Sequence, residues 1–148
     1  MPEGRIFLDT SALLAAVLSA GGGARALLKL GESGAVHIWV GPTVLREADE
    51  VFQRKAPDLL PLLAALLHQA QVQVGPAATA DQQARAASAV DYAPDARIVA
   101  EALTCQVDYF VTHDQERLLR NPRLSALPLQ VGTPGDCLAW LRQRLVGL

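Results

Sequence analysis

The sequence has few cysteines, few aromatic residues and no excess of positive charge. Cysteine occurs twice, at Cys105 and Cys137, without the C-x-x-C spacing of a zinc site and without the pattern of a disulfide framework. Both thiols are therefore expected to be buried in a reducing compartment. Thirteen basic and fifteen acidic side chains give a formal charge of −2. Because this balance creates no global positive field, any contact with nucleic acid must be local or metal-assisted.

Long uninterrupted apolar runs are also absent. The run Ile6–Ala20 resembles a signal peptide, but Asp9 and the two hydroxyl residues after it interrupt the run. The stretch Leu59–Ala80 is broken by prolines, glutamines and a glycine. Its strongly apolar part, Leu59–Leu67, is well short of the ~20 residues that a membrane span needs. We therefore expect a cytoplasmic protein without a membrane segment.

What the chain does contain is typical of one globular domain. It has 148 residues, of which 51% are hydrophobic and 19% are charged. A chain of this length can bury roughly 68–70% of its unfolded surface. Alanine and leucine, with 25 and 24 residues, favour a helix-rich fold. We interpret residues 1–148 as a single domain.

Short strand-like segments alternate with helical segments along the chain. β-Branched and aromatic residues between glycine and proline breaks mark the strands. Strands separated by helices imply βαβ units and a parallel sheet that is covered on both faces. The predicted fold is an α/β protein, a three-layer α/β/α sandwich with a mainly parallel sheet of about five strands. The predicted strands are Arg5–Asp9, Ala35–Gly41, Val72–Val74, Asp108–Thr112 and Leu129–Val131.

Eight helical segments fill the intervals between the strands. Thr10 or Ser11 is expected to cap the first helix, which runs to about Ala20. A glycine-containing turn, Gly31–Gly34, is expected to end the second, and Asp136 to cap the last. The segments after the first are Ala24–Leu30, Pro42–Lys55, Asp58–Gln69, Thr79–Ala89, Asp95–Cys105, Asp114–Arg120 and Asp136–Leu145.

Four acidic residues are expected to meet at one edge of this sheet. Asp9 ends the first strand, and Glu47 lies early in the helix after the second strand. Asp95 lies in the first turn of a helix antiparallel to the strands, and Asp114 follows the fourth strand. The carboxyl ends of parallel strands share the edge at which open α/β proteins bind their ligands. Four acids scattered over more than a hundred positions should therefore occupy one small volume.

The chemistry of such a cluster favours a hard divalent cation. Clustered carboxylates repel one another, which raises at least some of their pKa values unless a cation neutralises them. Mg²⁺ and Mn²⁺ prefer oxygen ligands, and two such ions can clamp a phosphodiester for in-line attack by water. Thr10, Ser11 and Thr112 add hydroxyls that suit the orientation of a carboxylate, a water or a phosphate oxygen. We therefore expect Mg²⁺ or Mn²⁺ as the cofactor.

Four sequence segments carry these acids in a recognisable order. They are FLDTSALLAAVL with Asp9, VLREADEVF with Glu47, PDARIVAEAL with Asp95, and DYFVTHD with Thr112 and Asp114. Each segment is a weak motif alone, but the ordered set covers nearly the whole chain and resembles the PIN domain family, including VapC-like toxins of toxin–antitoxin modules. The resemblance implies a parallel five-stranded sheet and a metal-dependent ribonuclease. In it the matched residues Asp9, Glu47, Asp95 and Asp114 would be catalytic and bind the metal.

Two positions depart from the common pattern of that family. Ser11, in a supporting position, stands where a common form has asparagine, and Gln115 rather than an acid follows Asp114. Glu116 is the next acid in the chain and is a candidate for a fifth, supporting carboxylate. The sequence leaves open its role and whether one or two metal ions bind.

Each acid also has an ordinary structural interpretation. Asp9 could cap the first helix, Glu47 could be a solvated acid, and Asp95 could stabilise a helix N-terminus through the helix dipole. Their shared placement favours the functional interpretation for all three. Asp108 and Asp136 are interpreted as turn or cap residues and are excluded from the site.

Histidines, tryptophans and arginines give weaker signals. The three histidines are scattered and do not form a metal-binding or catalytic set, and the two tryptophans are interpreted as packing residues. Five arginines are consistent either with a local basic rim or with ordinary solvated faces. They are Arg117, Arg120, Arg123, Arg142 and Arg144.

Two further function classes stay open at this point. Phosphoryl transfer through an aspartyl intermediate, as in phosphotransfer or phosphatase domains, needs a lysine near the acids, whereas Lys29 and Lys55 lie on early helices. A non-catalytic PIN-like module that binds RNA or protein would be expected to lose some of the acids. The resemblance implies RNA as substrate and a cognate antitoxin as partner. The apolar segment Leu59–Leu67 suits a homodimer or antitoxin surface, although core packing explains it as well.

Overall fold

Five strands form one sheet in the computed structural model, which describes residues 4–146. The strands are β1 (Gly4–Leu8), β2 (Val36–Val40), β3 (Gln73–Val74), β4 (Tyr109–Val111) and β5 (Gln130–Gly132). They lie in the order β3-β2-β1-β4-β5, and every neighbouring pair is parallel. The predicted parallel sheet of five strands is thus confirmed. Residues 1–3 and 147–148 of the predicted domain lie outside the described residues.

Seven α-helices connect and follow the strands within the described range. A π-helical turn, Gln115–Leu119, replaces the predicted helix after β4, and 3₁₀ turns occur at Pro57–Leu59 and Pro122–Ala126. No single helix within residues 4–146 is long and apolar enough to cross a membrane, and α1 and α2 meet that criterion only as a pair bent by 89°. The helices are α1 (Thr10–Leu18), α2 (Gly23–Glu32), α3 (Pro42–Lys55), α4 (Leu60–Gln69), α5 (Ala80–Ala89), α6 (Ala93–Thr104) and α7 (Pro134–Val146).

Both faces of the central strands are covered. Ile6, Phe7 and Leu8 are consecutive in β1 and fully buried, and every residue of β4 is buried as well. Because successive strand residues point to opposite faces, layers must pack on both sides of the sheet. Phe7 and Phe110 stack between neighbouring strands with their ring centroids 5.6 Å apart. These observations confirm the predicted α/β/α sandwich.

Two details of the first helices differ from the sequence-based expectation. Asp9, not Thr10 or Ser11, caps α1, because its carboxylate accepts a hydrogen bond from the Thr10 amide at 2.8 Å. The helix α2 continues through Gly31 to Glu32. A Cβ atom at Gly31 would lie 2.9 Å from the Ala70 carbonyl oxygen. This glycine therefore permits close packing and does not break the helix.

The last helix begins with a reciprocal cap. The Thr133 amide donates to the Asp136 carboxylate at 3.0 Å, and the Asp136 amide donates to the Thr133 hydroxyl at 3.1 Å. Thr133 directly precedes the helix and is its N-cap. The expectation that Asp136 is the N-cap is therefore wrong by three residues. Asp136 nevertheless has the structural role assigned to it, as the second half of a capping box.

Core packing accounts for much of the apolar segment that was considered as a dimer surface. Leu63 and Leu66 of α4 are buried within the chain, and Leu62 and Leu67 are partly buried against the same core. A homodimer through this helix therefore stays a prediction. The two cysteines are free and buried, as expected.

A buried acid connects the two helices that carry Glu47 and Asp95. Glu101 of α6 is 4% exposed, and its carboxylate accepts hydrogen bonds from the Thr43 amide at 3.0 Å and from the Thr43 hydroxyl. Gly41, the N-cap of α3, has no side chain to cap that helix, and a Cβ there would collide with Glu101. Glu101 thus caps α3 from a neighbouring helix and fixes the relative position of α3 and α6.

We expect Thr43→Val to destabilise the protein by about 1–3 kcal/mol, because it leaves one buried oxygen of Glu101 without its hydroxyl donor. Chemical denaturation measures the difference. Thr104→Val is the matched control, since the Thr104 hydroxyl donates to the carbonyl of Ala100 on its own helix and accepts only a longer, exposed hydrogen bond from the Thr79 amide at 3.3 Å. Equal losses of stability in the two variants would contradict the capping role of Glu101.

Candidate active site

All four predicted acids lie along the edge formed by the carboxyl ends of the strands, here called the carboxyl edge. Asp9 directly follows β1, and Asp114 follows β4 by three residues. Glu47 lies in the second turn of α3, the helix that begins after β2, and Asp95 lies in the first turn of α6. The topology therefore gathers side chains from four separate parts of the chain, as the sequence predicted.

Asp9 is the buried centre of the site. The residue is only 5% exposed to solvent. The Thr10 amide donates to Asp9 Oδ1 at 2.8 Å, and the hydroxyls of Thr112 and Ser11 donate to Oδ2 at 2.7 Å and 3.2 Å. Burial raises the pKa of Asp9 above its ordinary value, while these three hydrogen bonds oppose the rise and nearby Glu47 adds to it. Three donors thus hold this carboxylate in one orientation.

Glu47 is fixed by a side chain from the first helix. The Thr10 hydroxyl donates to Glu47 Oε1 at 2.7 Å. Because the Thr10 amide also binds Asp9, one residue positions two acids. The neighbours Asp49 and Glu50 on the same helix are exposed. The structure therefore separates Glu47 from the solvated acids beside it.

A chain of hydrogen bonds extends from Asp9 to Asp114. The Asp114 amide donates to the Thr112 hydroxyl at 3.0 Å, and that hydroxyl donates to Asp9. Ser11 receives a hydrogen bond from the His113 amide, also at 3.0 Å. All three predicted supporting hydroxyls, those of Thr10, Ser11 and Thr112, therefore contact a site carboxylate.

Asp95 differs from the other acids because its buried oxygen has no hydrogen-bond partner among the described residues. This atom, Oδ2, lies 4.0 Å from the Arg117 guanidinium, beyond hydrogen-bonding distance. Burial raises the pKa of Asp95 to about 6, and repulsion from Asp9, Asp114 and Glu47 adds to the effect, whereas Arg117 opposes it. The charges of the other three acids thus act on Asp95, in addition to its burial.

Asp114 and Glu116 have different surroundings. Asp114 is half-buried, and its carboxylate accepts a hydrogen bond from the Arg117 amide at 3.0 Å, which caps the π-helical turn. Glu116 is exposed in that turn and lines a cleft beside the cluster. The supporting role considered for Glu116 stays a prediction.

The donor set fits a hard divalent cation. It consists of carboxylate and hydroxyl oxygens, and it includes the unpartnered buried oxygen of Asp95. No three acidic, histidine or cysteine side chains in the described part of the chain are close enough to surround one ion directly. Mg²⁺ in proteins commonly keeps several water ligands and so does not require three direct protein ligands. Asp9, Glu47, Asp95 and Asp114 are the residues that would hold it.

Two residues near the acids were not predicted to belong to the site. Arg117 was one of five arginines whose role was open, and Tyr92 was not singled out. The Arg117 guanidinium lies over the Tyr92 ring, 3.7 Å from its centroid, and faces Asp95. Arg117 stands three residues after Asp114, the spacing at which a backbone amide donates to a helix-capping aspartate. This spacing is the sequence signal that could have linked Arg117 to the site. Asp108, by contrast, accepts the Arg5 amide near the opposite sheet edge, in the structural role expected.

The raised pKa of Asp95 predicts a stability cost in the metal-free protein. Because the folded value of about 6 exceeds the ordinary 3.8, the folded state binds this proton more tightly than the unfolded state. The contribution of Asp95 to folding stability therefore falls as pH rises from about 4 to about 6 and then levels off. The loss is at most about 3 kcal/mol, since each pKa unit corresponds to about 1.4 kcal/mol and solvent screens part of it.

Asp95→Asn should remove this cost, because the amide stays neutral. In the presence of a chelator we expect the variant to melt at a higher temperature than the wild type at pH 7. Its stability should also fall less between pH 4 and pH 6. Asp58→Asn, at an exposed position in a 3₁₀ turn, provides the same chemical change away from the cluster. Parallel stability curves for wild type and Asp95→Asn would show that Asp95 carries no such penalty.

Two solved structures have a fold similar to that of this chain. The chain is similar to VapBC2 from Rickettsia felis, solved bound to a DNA fragment from their promoter, with 15% identity and a TM-score of 0.66; the match covers 87% of this chain and 98% of that one. It is also similar to Mycobacterium tuberculosis VapC20, described as a sarcin-ricin loop cleaving toxin, with 22% identity and a TM-score of 0.52, covering 75% and 91%. At these identities the two likenesses show the fold.

The sequence comparisons give one positive result. No curated protein matches the chain. Residues 5–116, about three quarters of the sequence, match the PIN domain family, and the matched region contains Asp9, Glu47, Asp95 and Asp114. The chain therefore belongs to the PIN domain family.

Proposed function

We propose that this protein is a ribonuclease that uses Mg²⁺ or Mn²⁺ to hydrolyse RNA phosphodiester bonds, and that it is the toxin of a toxin–antitoxin pair. The observation that carries the catalytic part is the convergence of Asp9, Glu47, Asp95 and Asp114 on the carboxyl edge, where burial and the charges of the other three acids raise the pKa of Asp95. Membership in the PIN domain family supports the same conclusion.

The proposed hydrolysis forms a bond between a water oxygen and phosphorus while the bond to the leaving ribose oxygen breaks. A divalent ion bound by the acids would neutralise negative charge on the phosphate and orient the attacking water. Other residues of the chain hold the carboxylates of these acids in fixed orientations. Thr10 orients Asp9 and Glu47, and Thr112 and Ser11 fix the second oxygen of Asp9. Asp95 Oδ2, without a hydrogen-bond partner in the described structure, is available to an additional ligand.

The competing functions fit the geometry less well. An aspartyl-phosphate mechanism needs an accessible nucleophile with a lysine nearby, but Asp9 is buried and holds three hydrogen bonds. Lys55 ends α3, and Lys29 lies in the last turn of α2, so both are remote from the helix start and strand ends that form the site. A non-catalytic module has no need for four coupled acids, and their repulsion would only destabilise it.

The toxin part of the proposal is supported by the likeness to VapBC2 and VapC20. A cognate antitoxin is the expected protein partner, and RNA is the expected substrate. Expression of the chain alone in a bacterial host should arrest growth, and Asp95→Asn should relieve the arrest.

We expect Asp95→Asn to reduce Mn²⁺- or Mg²⁺-dependent RNA cleavage by at least a hundredfold, in the range that loss of one charge-stabilising group commonly costs. The fold should be retained, since the two side chains have nearly the same shape. Asp108→Asn is the matched control, because Asp108 binds the Arg5 amide at the start of the sheet. It should affect stability more than cleavage. Wild-type cleavage by Asp95→Asn, measured with a labelled RNA, would overturn the assignment.

Metal binding to the cluster should stabilise the folded protein. At pH 7, Mn²⁺ at ~100 times its dissociation constant should add roughly 2.7 kcal/mol to the free energy of unfolding and raise the melting temperature. The shift should be much smaller at pH 4, where protons compete for the carboxylates. A variant with Asp9→Asn and Asp95→Asn should show little shift. If Mn²⁺ raises the melting temperatures of the double variant and the wild type equally, the ion binds elsewhere.

A further inference from the structure

We propose that Arg117, held against the ring of Tyr92, binds a backbone phosphate of the RNA beside Asp95 and so lets a polyanion enter an acidic site. The proposal rests on the proposed ribonuclease function, because it concerns how the substrate of that reaction is held. It assigns Arg117 to substrate binding and Tyr92 to positioning the guanidinium.

The charge of the molecule favours a cationic side chain beside the acids, in addition to the divalent ion of the proposed reaction. The chain carries a formal charge of −2, and four carboxylates meet where the scissile phosphate must lie. RNA carries one negative charge per phosphate, so the site repels its own substrate unless positive charge lies nearby. Protein binding to nucleic acid depends mainly on such local neutralisation of phosphates. Arg117 is the cation whose charge lowers the pKa of Asp95.

The backbone places Arg117 at the edge of the acidic cluster. Its amide donates to the Asp114 carboxylate at 3.0 Å, which anchors the start of the π-helical turn. The side chain then extends over Tyr92, with the guanidinium 3.7 Å from the ring centroid and 4.0 Å from Asp95 Oδ2. A cation over an aromatic face is stabilised by the ring quadrupole. The stack therefore restricts the guanidinium to the side of the site next to Asp95.

The donors of this guanidinium are available to a ligand. The Arg117 side chain is 52% exposed, and no described residue accepts a hydrogen bond from it. The neighbouring Arg123, in contrast, pairs with Asp91 at 3.0 Å, and Arg25 donates to the carbonyls of Ala16 and Val17. A planar guanidinium can donate two parallel hydrogen bonds to a phosphate. The guanidinium of Arg117 can therefore leave its 4.0 Å contact with Asp95 Oδ2 and donate hydrogen bonds to an RNA phosphate.

A cleft next to Arg117 provides room for the adjoining nucleotide. Its volume is about 440 Å³, and it opens beside the cluster between the loop before α6 and the π-helical turn. Three arginines line it against two acids, so its local charge is favourable for a phosphate backbone. The side chains that line it and bear on this argument are Tyr92, Asp91, Glu116, Arg117, Arg120 and Arg123.

The test measures RNA binding without cleavage. A short labelled single-stranded RNA is titrated with the protein in EDTA at low salt, and fluorescence anisotropy gives the dissociation constant at several salt concentrations. We expect Arg117→Gln to raise the dissociation constant about tenfold or more, as for loss of a charge-assisted hydrogen bond. The slope of log affinity against log salt should fall by about 0.7, the value for one phosphate contact on a single strand.

The matched control is Arg144→Gln. Arg144 also stacks on an aromatic ring, 4.6 Å from the Trp140 centroid, but Trp140 packs beside Gly4 at the opposite edge of the sheet. This variant should change neither affinity nor salt slope. Arg117→Lys should keep the slope while losing part of the affinity. Tyr92→Phe should bind as the wild type does, and Tyr92→Ala should weaken binding. Melting temperatures check that each variant is folded.

The outcomes separate this proposal from the ribonuclease proposal. If Arg117→Gln is folded and binds RNA with the affinity and salt slope of Arg144→Gln, Arg117 does not contact phosphate, even if the wild type cleaves RNA. If Arg117→Gln loses binding while the wild type shows no cleavage with Mn²⁺, the ribonuclease proposal fails and the binding role stands. Absence of RNA binding by the wild type at low salt also overturns the binding role.

Discussion

The burial of the Asp9 carboxylate is the constraint on which the rest of the site depends. An acid in a nearly closed environment is stable only if hydrogen bonds replace the lost water. Here the donors come from the first turn of α1 and from Thr112, at the end of the neighbouring strand β4. Because β1 and β4 are hydrogen-bonded neighbours in the buried centre of the sheet, these donors cannot move independently of Asp9. The core of the fold thus fixes the orientation of one site carboxylate.

The remaining acids are held around Asp9 by elements that the core also positions. Thr10 links Asp9 to Glu47, and the Thr112 hydroxyl links it to the Asp114 backbone. Glu101 caps α3 from α6 and thereby relates the helix of Glu47 to the helix of Asp95. No comparable network reaches Asp95 Oδ2 within the described residues, and burial together with the charges of the other acids raises the pKa of that residue. The site is preorganised at three acids, and it keeps an unbalanced charge at the fourth. Such an imbalance costs stability and is typical of functional sites.

Several features could be read from the sequence because they depend on local patterns. The ends of all five strands were located to within one residue, since short apolar β-rich runs between glycine and proline breaks have few other interpretations. The parallel order followed from alternation with helices, and the convergence of the four acids followed from that order. Gly31 was misjudged because a helical glycine that allows close packing looks the same in sequence as one that ends a helix. For the cap of α1 the sequence offered Asp9 as well as Thr10 and Ser11, and only the hydrogen bond from the Thr10 amide to Asp9 decides between them.

The sequence by itself determined the layers of the fold, the family and the convergence of four acids on one edge of the sheet. Periodicity, turn residues and the order of motifs are properties of the sequence and can be recognised without a three-dimensional structure. Only the tertiary structure decided which acid is buried and hydrogen-bonded, which one carries the raised pKa, and which arginine of five lies against the cluster. These properties depend on distances of a few ångströms between residues far apart in sequence, such as Asp95 and Arg117 or Thr43 and Glu101. Electrostatic and hydrogen-bonding energies vary steeply over such distances, and sequence spacing does not encode them.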